Sequence, residues 1–192
     1  MEEATARKLR FVTLQVVGAV AVIHLVVGIA ELIRFARGGL LGQYFTSGQA
    51  LSQPTPWLFT LAALAILAGL AAVSLGHLSH RRAYALGIVV MATFILGWLA
   101  WHSVFEHGAT TPSTEADTSH EGLLSVIATH YVGPLVGIVT GADQPGRVTL
   151  AVISKTLESI AIVLMAVLLA VDPRVEEPEN PIVAMGGEGT KE

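Results

Sequence analysis

The sequence predicts an all-α bundle of membrane-spanning helices, and three observations predict it. The chain has a mean hydropathy of +0.64, charged residues make up only 14 % of it, and its apolar residues gather in long runs between short polar stretches. A soluble domain carries roughly 25 % charge, whereas about 20 consecutive apolar residues are what an α-helix needs to cross the hydrocarbon of a bilayer. Four or five such helices would occupy residues 1–171 as one bundle, leaving no room for a separate soluble domain. Residues 172–192, rich in Pro, Glu and Gly, are expected to be an acidic disordered tail. The expected location is the cell membrane, crossed several times.

The first span covers 11–35, with Arg7, Lys8 and Arg10 before it and Arg34 and Arg37 at its far end. Its apolar run exceeds the ~7–15 residues of a signal-peptide core and no small-x-small cleavage pattern follows, so it is expected to stay as an anchor. Residues 38–56 form a Gly/Ser/Gln/Pro-rich connection in which Leu40, Leu41, Tyr44 and Phe45 suit the membrane interface. A second span over 57–76 and a third over 83–105 form a hairpin through the basic turn His77 to Arg82, and Trp98 and Trp101 mark the far end of the third. A polar, acidic loop, 106–121, follows. Segment 123–141 is close to the minimum spanning length and is interrupted by His130, Tyr131 and Pro134, while 149–171 is a clear last span. Counting 123–141 gives five spans, the preferred reading, and omitting it gives four. Lys and Arg near span ends favour a cytoplasmic N-terminus and put the 81–82 turn on the same side, with Arg34 and Arg37 dissenting. With five spans the acidic tail would lie outside.

Composition removes several classes. The absence of cysteine excludes disulfides, thiolate metal sites and cysteine-attached haem, so any metal must use histidine and carboxylate. A net charge of −4 with no aromatic-interleaved basic stripe argues against nucleic acid as a partner. Scarce Lys beside abundant surface acid hints at a salt-adapted prokaryote such as a haloarchaeon. No phosphate-binding glycine loop, HExxH motif or nucleophile elbow is present.

The candidate site comes from ionisable residues inside apolar runs, which are functional candidates by default. His24, Gly28 and Glu31 share one face of the first helix. His130, Gly133, Gly137 and Gly141 share a face of segment 123–141, a stripe of small residues that would let backbones approach closely. Gly87, Met91, Ile95, Trp98 and His102 share a face of the third helix. At ~1.5 Å per residue, with Arg34, Glu106 and Leu123 as outer ends, His24 lies roughly 15 Å deep, His130 roughly 10 Å, His102 roughly 6 Å and Glu31 roughly 5 Å. His24, Glu31, His102 and His130 are therefore expected to line one cavity in the outer half. Such a set would suit zinc, iron or copper, or a b-type haem between two of the three histidines. The plainer alternative is that each histidine bonds a neighbouring helix and holds register. Lys155 and Glu158, with Ser159, form a second polar face on the last helix, expected to be a local ion pair with Lys155 reaching toward the interface. His77 and His80 suit the interface, and His107 and His120 flank the acidic loop.

Arg10, the glycine-containing stretch through Gly18 and Gly28, and the closing Glu31-Leu32-Ile33 resemble the first helix of the DoxX-like small membrane proteins. The likeness extends over the first three spans. It implies a four-helix bundle of the kind found with oxidase or thiosulfate-oxidising assemblies, carries over no functional residue, and is departed from at 123–141. Three functions compete: an accessory or assembly subunit of a membrane complex, a haem- or metal-binding electron-transfer protein, and a small proton-coupled transporter or channel. Lipid, other membrane proteins and further copies of the chain are the expected partners.

Overall fold

The computed structural model describes residues 2–103, 122–141 and 147–175, and all regular structure among them is helical. The acidic loop with His107 and His120, and the tail beyond Val175, lie outside the described residues. Five helices are long and apolar enough to cross a membrane.

Helix α1 (Glu3–Arg37) extends the first apolar run at both ends with charged residues. Glu3 in its first turn and Arg34 and Arg37 in its last complement the helix dipole. Its buried stripe, Ala6, Thr13, Val17, Val20, His24 and Gly28, recurs at helical spacing. The connection to the next long helix contains two short helices, α2 (Leu41–Thr46) and α3 (Gln49–Ser52). Tyr44 is fully buried, stacked on Phe35 at 4.6 Å with its hydroxyl donating to the Gln53 carbonyl at 2.8 Å. The Trp57 indole donates to the Ala50 carbonyl at 2.7 Å, so aromatic groups pin this connection to the end of α1.

Helix α4 (Thr55–Ser74) opens with Pro56 in its first turn, where the missing N–H costs nothing, and α5 (His80–Ser103) follows the basic turn. The segment 123–140 consists of α6 (Leu123–Ile127), a π-helical turn at Ala128–Val132, and α7 (Gly133–Thr140), which stops at Gly141 with φ +72°. Helix α8 (Arg147–Val171) ends in a 3₁₀ turn, Pro173–Val175.

Helices α1 and α8 form the inner pair, with α4 packed on α1 and α5 on α8. Three cross-helix contacts fix their directions. Gly28 faces Pro56 and Thr60, Gly87 faces Met165, and Asp172 bonds both Arg10 and Tyr84. The four helices therefore alternate in direction, and Arg10 and Asp172 lie at the same end. This corrects the expectation of a tail leaving opposite the N-terminus. Ser103 and Arg147 both lie at the other end. Segment 123–140 packs beside α5 and α8 and is one of the five helices long and apolar enough to cross a membrane.

The tail boundary also moves, because Asp172 is buried and bonded and belongs to the bundle. In the small-residue stripe, a Cβ at Gly133 would meet only the Ala128 carbonyl of its own segment, and Gly141 is a left-handed helix stop facing open space, so these two do not make the expected close helix contact. Close backbone approach occurs at Gly28.

The chain has no cysteine, so single cysteines can report sidedness. Cysteines placed at Glu2 and Val175 should react with a membrane-impermeant maleimide from one side of sealed vesicles, and one at Ser103 from the other. Labelling of Glu2 and Val175 from opposite sides would overturn the alternation of α1, α4, α5 and α8.

Candidate functional site

The deepest polar group lies where all four long helices meet. His24 is 1 % exposed and Glu158 is fully buried, with Lys155 beside them. His24 comes from the buried stripe of α1, and Lys155 and Glu158 from α8, where the three-residue spacing puts both on the face turned to α1. Lys155 Nζ donates to both carboxylate oxygens of Glu158, at 2.8 and 2.6 Å, and reaches the Phe94 carbonyl of α5 at 3.3 Å. Ser154 Oγ donates to the same carboxylate at 2.8 Å. Lys155 therefore does not reach for the interface but is held level with His24. The expected local ion pair is present, and it is central rather than peripheral.

His24 Nδ1 lies 2.9 Å from the Val20 carbonyl, which can only accept, so Nδ1 carries the proton and Nε2 holds a lone pair. Nε2 faces Glu158 Oε1 at 3.6 Å, too long for a good hydrogen bond. The imidazole packs against Phe59 of α4 at 4.7 Å and Phe94 of α5 at 4.8 Å, centroid to centroid. With both nitrogens facing protein and aromatic rings against it, His24 has no open side for a porphyrin.

The other members of the expected cluster lie elsewhere. Glu31 pairs with Arg34 one turn along α1. His102 and His130 meet each other, ring centroids 5.0 Å apart, near the end of α5. Phe94, which touches His24, is eight residues and so about 12 Å along α5 from His102. The four-residue cavity therefore resolves into three places, and no group of three or more His, Asp or Glu able to hold a metal occurs among the described residues. The contacting rings of His102 and His130 also leave no gap for a haem between them. Depth from a span end does not bring these residues together, because α1 continues to Arg37 and the residues sit at different levels on different helices.

A third polar group, at the N-terminal end, is not foreshadowed by the motifs. Asp172 accepts from Arg10 at 2.7 Å, from the Tyr84 hydroxyl at 2.7 Å and from the Arg174 N–H at 3.1 Å. Arg10 also pairs with Glu3. The signal was an acid directly after the last apolar residue, which reads as the start of a tail unless a partner is known. Burial alone would raise the Asp172 carboxyl, but the Tyr84 and Arg174 hydrogen bonds and the Arg10 charge outweigh it and hold it below its ordinary 3.8. A depressed carboxyl stabilises the fold fully above its unfolded value, and that contribution fades as pH falls through the folded value. Asp172→Asn should lower stability by about 2 kcal/mol near neutral pH. The gap from the parent chain should close as pH drops below 3.8. Thermal melts in detergent across pH would show this, and a gap independent of pH would contradict it.

Between the triad and Asp172 the core is apolar: Val17, Val20, Ala21, Met91, Ala161, Met165 and Leu168. Glu158 and Asp172 are fourteen residues apart on one helix line, about 21 Å. Among the described residues no buried side-chain nitrogen or oxygen lacks a hydrogen-bond partner.

Comparison with protein-family models, characterised proteins and solved structures finds no match for this chain.

Proposed function

We propose that this chain is a multi-pass subunit of the cell membrane, accessory to or assembling a larger membrane complex, with its N-terminal end and tail in the cytoplasm. The observation that carries this reading is the interior formed by the described residues. The Lys155–Glu158 pair neutralises itself, and about 21 Å of mainly apolar side chains separate it from the N-terminal face, so the described residues offer no continuous polar path to that face. A Lys–Glu pair with a histidine at the crossing of four helices then serves to set which helix faces meet, since lipid gives apolar faces little reason to choose one another. The basic residues Arg7, Lys8, Arg81 and Arg82, at the end shared by both termini, support the orientation. The working surface is accordingly the outside of the bundle, and the resemblance of α1 to the DoxX-like proteins fits a redox complex as the setting.

The runner-up is a proton-coupled carrier, favoured by the His24 lone pair that faces Glu158 at 3.6 Å. Reconstitution in liposomes containing a pH-sensitive dye separates the two. The subunit reading expects no proton flux above the leak of empty liposomes. In native membranes it also expects the chain to migrate in a heteromeric band on blue-native gels, and flux abolished by Glu158→Gln in a folded variant would replace it with the carrier.

A further inference from the structure

We propose that the rim of the bundle at the end shared by the termini is a docking surface for the phosphate headgroups of anionic lipids, held by Arg7 and Lys8 of α1 and Arg81 of α5. The surface is independent of what the interior does, and three observations carry it. The first is that these cations are unengaged. Arg10 pairs with Asp172 and Glu3, and Arg174 lies 3.8 Å from Glu3, so both of those acids are already matched. Arg7, Lys8 and Arg81 are exposed, and their side chains make no ion pair or hydrogen bond among the described residues. Glu2 is the acid left over at this end among the described residues, so positive charge prevails.

The second is their level. Asp172 is bonded both by Arg10 and by the Tyr84 hydroxyl, which puts Arg10 and Tyr84 at one height on either side of the end of α8. Arg7 and Arg81 each precede them by three residues, so both stand one turn, about 4.5 Å, further out. Residues 11–30, between Arg10 and Glu31, cover about 30 Å, the thickness of the hydrocarbon. The outer turn therefore lies among lipid phosphates. The third observation is what lies one turn inward on the same helix faces. Phe11 follows Arg7 by four residues and is 63 % exposed, Val12 follows Lys8 and is 47 % exposed, and the row of Arg81 runs through the exposed Ala85 to Val89, 60 % exposed. A cation with an uncovered apolar group a turn deeper matches a molecule that carries its anion above acyl chains. Free phosphate or an acidic peptide would satisfy only the outer half.

The full chain purified in non-ionic detergent tests this by thermal melts and native mass spectrometry with phosphatidylglycerol, phosphatidylcholine of the same acyl chains, or inorganic phosphate added. Phosphatidylglycerol should be retained and should raise the melting temperature saturably, and neither of the others should do so. Arg7→Gln with Arg81→Gln should weaken its retention roughly thirtyfold, about fivefold for each cation withdrawn from the surface. Arg7→Lys with Arg81→Lys should preserve retention, because the charge stays in place. Lys8→Gln alone should weaken it about fivefold and keeps the test available if the double variant fails to fold. Equal effects of the two lipids, equal stabilisation by inorganic phosphate, or a preference for phosphatidylglycerol unchanged in the Gln variants would overturn the surface. So would retention that appears only once Glu176→Gln and Glu177→Gln are introduced, which would assign these cations to the acidic residues of the chain's own tail.

Discussion

Glu158→Gln is expected to produce one of the two largest losses of stability available in this protein. The substitution keeps size and a hydrogen-bonding amide but removes the negative charge that Lys155 Nζ touches at 2.6 and 2.8 Å. Breaking a buried pair from one side leaves an uncompensated charge and costs about 3–5 kcal/mol. Lys155→Met should be damaging too, but less so, because the Ser154 hydroxyl still donates to the remaining carboxylate. Replacing both, Lys155→Met with Glu158→Leu, should recover much of the loss, since apolar side chains of similar volume often substitute for a buried pair at little cost. Thermal melts of the three variants in one detergent decide the matter. A double variant no better than Glu158→Gln would mean that the pair contributes through something other than mutual neutralisation.

Gly28→Leu should be comparably severe, for a steric reason. Even a lone Cβ on Gly28 would lie 2.6 Å from the Thr60 backbone nitrogen and 2.8 Å from the Pro56 carbonyl, atoms of α4 that cannot swing aside as a side chain can. Gly28→Ala should therefore cost about 2 kcal/mol through overpacking and Gly28→Leu more. Gly18 on the same helix has nothing within 4 Å of its Cβ position and supplies the control. Gly18→Ala should be neutral or stabilise by up to about 1 kcal/mol through helix propensity alone. Equal effects at the two glycines would show that α1 and α4 are not in close backbone contact.

The elements were legible because bilayer thickness imposes one strong constraint: a long apolar run must be a helix. The spans read at 11–35, 57–76, 83–105 and 149–171 correspond to helices whose ends differ from them by a few charged or polar residues. The polar faces were legible for the same reason, since His24 with Gly28, and Lys155 with Glu158, interrupt apolar runs at helical spacing. Which faces meet was not legible, because spacing along one helix carries no information about a partner. Depth does not supply that information either: the neighbour of His24 is Glu158 on the last helix, not His102 or His130. Asp172 escaped notice because burial at a helix end depends on Arg10 and Tyr84, far away in sequence.

The inner pair of this bundle, α1 and α8, joins helices far apart in the sequence, so α1 is synthesised long before its partner. Throughout synthesis α1 sits in the membrane with His24 awaiting a carboxylate that has not yet been made, and α4 and α5 must insert as outer walls around a missing centre. Completion of α8 then closes the interior and ties Arg10 to Asp172 in the same event. A chain halted before α8 would therefore present a polar stripe to lipid or to quality-control proteases, so the interior closes only once α8 is in place.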